Sequence, residues 1–310
     1  MTDTESAGRS AGLPTAARLA PAFGLGEVTA FTRVARGAMG AVWRLETRTG
    51  VYAAKEAFWR QPEEDLVRRE VDFQAACGVR SPEPLTTPSG SYVVDGWRLY
   101  EWVDGVVPPR DDLDAMVWLA EQMAAIHRVA WTDGPMETNA WYHRVDVDWP
   151  ALAARAPELT ESVPRLVELT GVVNSTSPDD LVLCHRDLTP ANVLIGAGGP
   201  YLVDWDNVGP LPPAQELGFL LINHLTDEYA VRRIVSAYRR AGGPGELTGP
   251  DGFATGLAIM LNYLHGQTSA ALDPELADEH RAFAARQLGG LIRSVPGVGV
   301  LERAVQFARV

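Results

Sequence analysis

Residues 181–206 alternate short apolar runs with clusters of acidic and amide side chains, and this pattern constrains the fold more than any other part of the sequence. The runs LVL, VLI and YLV are typical of short strands, which would fix the loops between them. Asp187 follows the first run, and Asn192 directly precedes the second. Asp204 follows the third run, and Asp206 comes two residues later. Strands at this spacing would place three acids and an amide in neighbouring loops.

These polar residues indicate metal-dependent chemistry on a phosphate group. Carboxylate and amide oxygens are hard ligands, so Asn192 and Asp204 are candidate ligands of Mg²⁺. Asp187 is the candidate base, which would accept or orient the proton of an attacking hydroxyl. Asp206 stays open between a structural partner, a second metal contact and a substrate contact. His185 is interpreted as a hydrogen-bonding scaffold residue, because this chemistry needs no imidazole.

The chain has a single lysine. Of its 27 basic residues 26 are arginine, and Lys55 lies in the run VYAAKEAF of a predicted strand. An unpaired charge among apolar residues is costly, which favours a specific use of the ammonium group over chance survival on a surface. Transfer of the γ-phosphoryl group of ATP needs a cation on the phosphates, and Lys55 is the candidate. Glu70, on the next predicted helix, would hold the ammonium in place; the alternative is a surface glutamate.

Two glycines lie at the predicted turn between the first two strands, in the run RGAMGAVW. Gly37 and Gly40 would let backbone N–H groups approach phosphate oxygens closely. An ordinary hairpin turn is the alternative, since the three-glycine pattern of protein kinases is missing.

The order of predicted elements indicates an α+β fold. Strands are predicted at 28–35, 41–47, 51–58, 91–96 and 97–103, with one helix at 63–77 among them. Later segments are mostly helical, at 113–131, more weakly at 149–170, and then at 214–241, 253–271 and 275–293. We expect a flexible N-terminal segment at 1–20, a nucleotide-binding N-lobe at 21–102 and a helical C-lobe at 103–310. The C-lobe would carry the catalytic loop and the acceptor site.

Charge and composition exclude several classes of protein. Residues 1–102 hold 12 basic and 13 acidic residues, a net charge of −1, whereas residues 103–310 hold 15 and 27, a net charge of −12. Nucleic acid is therefore an unsuitable partner. The acidic half would attract a cation, or it is simply a solvated surface. Without a membrane span or signal peptide in the pattern, we expect a cytoplasmic protein in which Cys77 and Cys184 are reduced thiols.

The runs HRDLTPAN, VLI and LVDWD, together with Lys55, Glu70 and the hinge-like run YEWVDG, resemble the aminoglycoside phosphotransferase and choline kinase family, part of the protein-kinase-like superfamily. The resemblance spans about residues 28 to 290. It implies a bilobal fold, ATP and Mg²⁺ as cofactors, and backbone groups of Glu101 and Val103 that bind the adenine edge. It also implies that His127 is structural. Arg186 departs from the small residue that antibiotic-modifying members usually have there.

Two other classes are disfavoured. A protein kinase needs a long activation segment, but only nine residues separate Asp204 from the next predicted helix. A silent nucleotide-binding module would commonly lack a base, a metal ligand or the lysine.

The expected function is O-phosphorylation of an amine-bearing small molecule, such as an aminoglycoside or another basic antibiotic. Choline, ethanolamine, sugar or homoserine acceptors are the alternatives. Trp141, Tyr142 and Trp149 would line the acceptor pocket or serve as packing anchors. A monomer or homodimer is expected.

Overall fold

The computed structural model describes residues 15–36, 40–58, 61–131, 138–177 and 179–309. The chain forms two compact units. The first unit comprises residues 1–109 and 191–206, and the second comprises residues 110–190 and 207–310. Residues 191–206, which the sequence analysis assigned to the C-lobe, thus belong with the first unit.

The strands are β1 (Val28–Arg36), β2 (Gly40–Thr47), β3 (Val51–Ala57), β4 (Trp97–Glu101), β5 (Gly105–Val106), β6 (Val182–Cys184), β7 (Val193–Gly196), β8 (Gly199–Leu202) and β9 (Gly209–Leu211). The helices are α1 (residues 15–22), α2 (Glu64–Cys77), α3 (Leu113–His127), α4 (Trp149–Ala153), α5 (Val163–Asn174), α6 (Pro213–Leu221), α7 (Glu228–Arg240), α8 (Ala254–Leu272), α9 (Asp278–Ser294) and α10 (Val298–Phe307).

The first unit is built on an antiparallel sheet in the order β1-β2-β3-β4. Its apolar face carries Phe31, whose ring stacks on Trp43 with centroids 4.8 Å apart, beside the buried Leu45. Helix α1 packs Ala16 and Leu19 into the same core. Residues 15–20, which the sequence analysis placed in a flexible segment, are therefore helical and contribute to the core, because their apolar side chains fill the sheet face.

One predicted strand is wrong. Residues 91–96 do not form a fifth strand of the sheet. Their one bridge is an isolated pairing of Val94 with Trp97, the first residue of β4. The backbone N–H groups of Tyr92 and Val93 donate to the carboxylate of Glu64 on α2, so they are engaged by a side chain rather than by a neighbouring strand. The predicted Asp95-Gly96 turn is present, with positive φ at both residues.

A smaller sheet of the first unit, in the order β5-β7-β8, holds the segment from 191 to 206. The second unit has the antiparallel pair β6-β9 and is otherwise mostly helical. The predicted helix at 214–241 is two helices, α6 and α7, because Asp227 caps the start of α7 by accepting a hydrogen bond from the N–H of Ala230.

The predicted fold class is confirmed: an N-terminal antiparallel sheet with one main helix is followed by a mostly helical region. Along the described ranges, every helix falls short of the length or the apolar character that a bilayer crossing requires.

Candidate functional site

Lys55 lies on β3 of the first unit between two carboxylates. Its Nζ is 2.5 Å from Oδ1 of Asp204 and 2.6 Å from Oδ2 of Asp206. Burial would lower the pKa of Lys55, but the attraction of Asp206 and Asp204 outweighs it, so the pKa is raised. The ammonium is therefore held in its charged form, as a cation that interacts with phosphate oxygens must be.

The two aspartates leave β8 on a short turn that Trp205 anchors. Trp205 is buried, donates from Nε1 to Oγ of Ser81 at 3.0 Å, and packs edge-on against Phe73. Asp204 has a φ of 67°, a left-handed conformation that non-glycine residues rarely adopt. With the indole fixed inside, the flanking carboxylates point outward, and their side chains are 44 % and 42 % exposed.

Asn192 directly precedes β7 and is nearly buried, at 8 % exposure. Its carbonyl oxygen accepts a hydrogen bond of 2.9 Å from the N–H of Val203, so the segments that carry Asn192 and Asp204 are joined through their backbones. The carboxylate of Asp204 and the amide of Asn192 are hard oxygen donors of the kind that suits Mg²⁺. The donor set of the first unit thus fits a divalent cation of this type.

Glu70 has a different partner from the predicted one. On α2, its Oε1 and Oε2 accept from Nη2 and Nη1 of Arg98 at 2.7 and 3.0 Å. Among the described residues, Glu70 forms its ion pair with Arg98, and Lys55 pairs with Asp204 and Asp206. Burial raises the pKa of Glu70, and the charge of Arg98 offsets only part of that shift.

Sequence reasoning missed Arg98. It lies on β4 directly across from Lys55 in the sheet register, inside the apolar run WRLYE. A second cation in a buried strand, at the position that pairs with the single lysine, was the available signal.

The remaining predicted nucleotide contacts are arranged as follows. At Gly40, any Cβ would lie 2.3 Å from the carbonyl oxygen of Glu56, so only glycine fits there. Gly37 lies outside the described residues. The N–H of Glu101 donates to the carbonyl oxygen of Glu83 and is therefore engaged within the first unit. Val103 is partly buried just beyond the end of β4.

In the second unit, Arg186 holds the loop that carries Asp187. The N–H of Arg186 donates to Oε1 of Glu216 at 2.5 Å, and its guanidinium donates to the carbonyls of Asn207 and Val208. The guanidinium also lies 4.4 Å from the ring centroid of Tyr142. Asp187, the next residue, is half-buried, and these contacts of Arg186 hold the backbone that precedes it.

Glu216 also binds the buried His127. Oε2 of Glu216 is 2.6 Å from Nε2 of His127, whose Nδ1 is 2.8 Å from the hydroxyl of Tyr238. Burial would raise the pKa of Glu216, but the hydrogen bond and charge of His127, together with the Arg186 N–H, hold that pKa below its ordinary value. Cys184 lies beside this pair, and burial raises the pKa of its thiol. His127 thus has the surroundings of a scaffold residue.

The three aromatic candidates for the acceptor pocket differ in exposure. Trp149 is buried and donates to Oγ1 of Thr170, and Tyr142 is buried and donates to Oδ1 of Asn207. These two are packing anchors. Trp141 is 44 % exposed, so its ring is open to solvent.

Comparison with known proteins identifies a family and a shared fold. The model of a phosphotransferase enzyme family matches residues 30–254, well over half of the chain. No curated protein matches the sequence.

Three solved structures share the fold. A spectinomycin phosphotransferase in complex with ADP and spectinomycin is 14 % identical, with a TM-score of 0.70, over 96 % of this chain and 98 % of that one. A choline/ethanolamine kinase family protein from Mesorhizobium loti is 18 % identical, with a TM-score of 0.60, over 96 % and 98 %. An amicoumacin kinase in complex with AMP-PNP, Ca²⁺ and Ami is 18 % identical, with a TM-score of 0.56, over 86 % and 89 %.

The predicted resemblance to aminoglycoside phosphotransferases and choline kinases is confirmed. The chain belongs to the phosphotransferase enzyme family.

Proposed function

We propose that the protein transfers the γ-phosphoryl group of ATP, with Mg²⁺, to a hydroxyl of an amine-bearing small molecule. The observation that carries the proposal is the position of the single lysine, Lys55, against two exposed aspartates in the first unit. A lysine and carboxylates in contact form a charged cluster that suits both the phosphates of a nucleotide and the cation that accompanies them.

Each residue has a distinct part in this proposal. Asp204 and Asn192 would hold the metal ion, which when bound neutralises charge on the phosphates. Lys55 would exchange its contacts with the aspartates for contacts with phosphate oxygens. Gly37 and Gly40 would bring backbone N–H groups close to the phosphates, and the Glu101 carbonyl with the Val103 N–H would bind the adenine edge.

Asp187 would orient the acceptor hydroxyl and accept its proton. The hydrogen bonds of Arg186 support this role of Asp187, because they hold the preceding residue against Glu216, Asn207 and Val208. A fixed loop places a carboxylate precisely, which general base catalysis requires.

The acceptor class rests on charge. Residues 103–310 carry a net charge of −12, which favours a cationic acceptor by long-range attraction. A solved neighbour binds spectinomycin, and others have choline or ethanolamine in their names, and these molecules bear amines. Aminoglycosides and other basic antibiotics are our first choice, and choline-like or ethanolamine-like metabolites are the second. We place the enzyme in the cytoplasm, where ATP is present, as a monomer or homodimer.

The proposal is tested by measuring ATP consumption with a panel of acceptors: aminoglycosides, other basic antibiotics, choline, ethanolamine, homoserine and neutral sugars. We expect the highest kcat/KM with an amine-bearing member, and loss of that turnover in Asp187→Asn. The best turnover with a neutral sugar would contradict the acceptor class. No turnover above acceptor-free hydrolysis with any member would contradict the transferase proposal for this panel.

A further inference from the structure

Arg98 joins Glu70 to Asp206. Its side chain on β4 is only 6 % exposed. Nη1 and Nη2 donate to both carboxylate oxygens of Glu70, and Nη1 also donates to Oδ1 of Asp206 at 2.9 Å. The other oxygen of Asp206, Oδ2, contacts Lys55. A continuous path of charge-assisted contacts therefore runs from α2 through β4 to Lys55 within the first unit.

The geometry explains why an arginine occupies this position. Only a planar guanidinium presents enough N–H groups in fixed directions to grip one carboxylate with two bonds and reach a second carboxylate. Glu70 is itself nearly buried, with a side chain 11 % exposed, and is anchored on a packed helix. Glu70 thus fixes the guanidinium group of Arg98, and Arg98 in turn fixes the carboxylate of Asp206.

Asp206 is held from both sides by cations. Each of its oxygens contacts a positive group, Arg98 at Oδ1 and Lys55 at Oδ2. A carboxylate in that arrangement is saturated by charge and has little attraction left for a divalent ion. Asp204 differs, because it contacts Lys55, the group expected to turn toward phosphate.

We propose that Arg98 is a positioning residue for nucleotide binding, and that Asp206 is the fixed counter-ion that aims Lys55 rather than a metal ligand. Glu70 acts on the lysine through Arg98 and Asp206 and not by direct pairing. This inference rests on the proposed function of Lys55, and it assigns Asp206 the role that the sequence left open.

The test compares Arg98→Met, Glu70→Gln and the double variant by thermal unfolding without ligand and by calorimetric binding of ADP with saturating Mg²⁺. Arg98→Met alone leaves a buried glutamate unpaired and is expected to unfold at a clearly lower temperature. The double variant removes both buried charges, so we expect it to recover most of the lost unfolding temperature and yet to bind ADP at least about tenfold more weakly. A purely structural Arg98 would give a double variant that binds ADP within twofold of wild type, which overturns the proposal.

Arg48→Met is the matched control. Arg48 forms an exposed ion pair with Glu27 in the same unit, with side chains 72 % and 69 % exposed. Its replacement is expected to leave both the unfolding temperature and ADP binding unchanged.

The role of Asp206 is tested by the Mg²⁺ concentration that gives half-maximal ADP binding. Asp206→Asn should weaken ADP binding at saturating Mg²⁺ and leave that midpoint within about twofold, whereas Asp204→Asn should raise it. An equal rise in both variants would make Asp206 a metal ligand and overturn the proposal. If the wild-type protein binds no ADP with Mg²⁺, the result contradicts the proposed function itself, and with it the positioning role of Arg98 and Asp206.

Discussion

The two units each contain a network of charged side chains, and the networks differ in exposure. The Lys55 network of the first unit (Lys55, Glu70, Arg98, Asp204 and Asp206) ends in two aspartates that are exposed by more than two-fifths. The Glu216 network of the second unit consists of His127, Cys184, Arg186, Glu216 and Tyr238, and the side chains of His127 and Glu216 are wholly buried.

Exposure separates what the two networks can do. Ions at an open edge can exchange partners with a ligand, because solvent already reaches them. A buried and paired glutamate cannot leave its partners without a large desolvation penalty, so it fixes backbone instead. Glu70 and Glu216 are both buried, and their pKa values differ because of their partners: burial raises that of Glu70, whereas hydrogen bonds from His127 and the Arg186 backbone outweigh burial and lower that of Glu216. We infer that the first network binds and the second supports.

The largest expected effect concerns the loop that the second network supports. Asp187→Asn should lower kcat by about 10²–10⁴-fold, as loss of a positioned base does, and leave ADP affinity within a few-fold. Steady-state kinetics and calorimetry measure the two quantities. Asp146→Asn, at an exposed ion pair of the same unit, is the control and should change neither. More than about a tenth of wild-type kcat in Asp187→Asn would reject the assigned role.

The next prediction concerns the proposed metal ligands, Asp204 and Asn192. Asp204→Ala should raise the Mg²⁺ concentration for half-maximal rate by at least about tenfold, since even changes around a metal's ligands cost about 10–100-fold in affinity. Asn192→Ala should have a smaller effect in the same direction, because an amide oxygen carries no charge. The measurement is a Mg²⁺ titration of the rate. An unchanged midpoint in Asp204→Ala would remove this residue from the metal site.

The sequence predicts the residues of the Lys55 network better than it predicts which of them pair with each other. Strand spacing and residue type single out Lys55, Asp204 and Asn192 along the chain. They also single out Glu70, but they do not predict its pairing with Arg98, because pairing depends on which side chains two elements distant in sequence bring together. The strand predicted at 91–96 is wrong for the same kind of reason. The Glu64 carboxylate, which accepts hydrogen bonds from the backbone N–H groups of this segment, lies 28 residues before Tyr92.

The buried network was harder to predict. The family resemblance implies that His127 is structural, and Arg186 departs from the small residue that antibiotic-modifying members usually have. Glu216 was not singled out, because a glutamate inside the helical run QELGFLL is usually solvent-exposed, and only tertiary packing shows that this one is wholly buried.

A third prediction addresses that buried network. Glu216→Gln should lower the free energy of unfolding at pH 7 by about 1.5–3 kcal/mol, the usual contribution of hydrogen bonds to a charged group. Because the folded-state pKa of Glu216 is lowered, its contribution is present above the ordinary value of 4.5 and is lost as the pH falls through the folded pKa. The deficit of the variant should therefore shrink between pH 7 and acidic pH in denaturant titrations. A deficit that stays constant or grows toward acidic pH would contradict the ionised, paired glutamate.

The smallest expected effect concerns the acidic charge of residues 103–310. For a polycationic acceptor, kcat/KM should fall several-fold between low salt and about 0.5 M salt, because screening shortens the reach of the carboxylates. ATP hydrolysis without acceptor should change less, which serves as the internal control. Equal salt responses would mean that the acidic surface only keeps the protein dissolved.

The most direct test of the account uses the single lysine. An amine-reactive ATP analogue should modify Lys55 and, besides it, only the α-amino group, because the chain has no other lysine. Peptide mass spectrometry locates the label. We predict that excess ATP with Mg²⁺ protects Lys55 and leaves labelling of the α-amino group unchanged. Labelling of Lys55 that ATP does not reduce would contradict the claim that the exposed network binds the nucleotide.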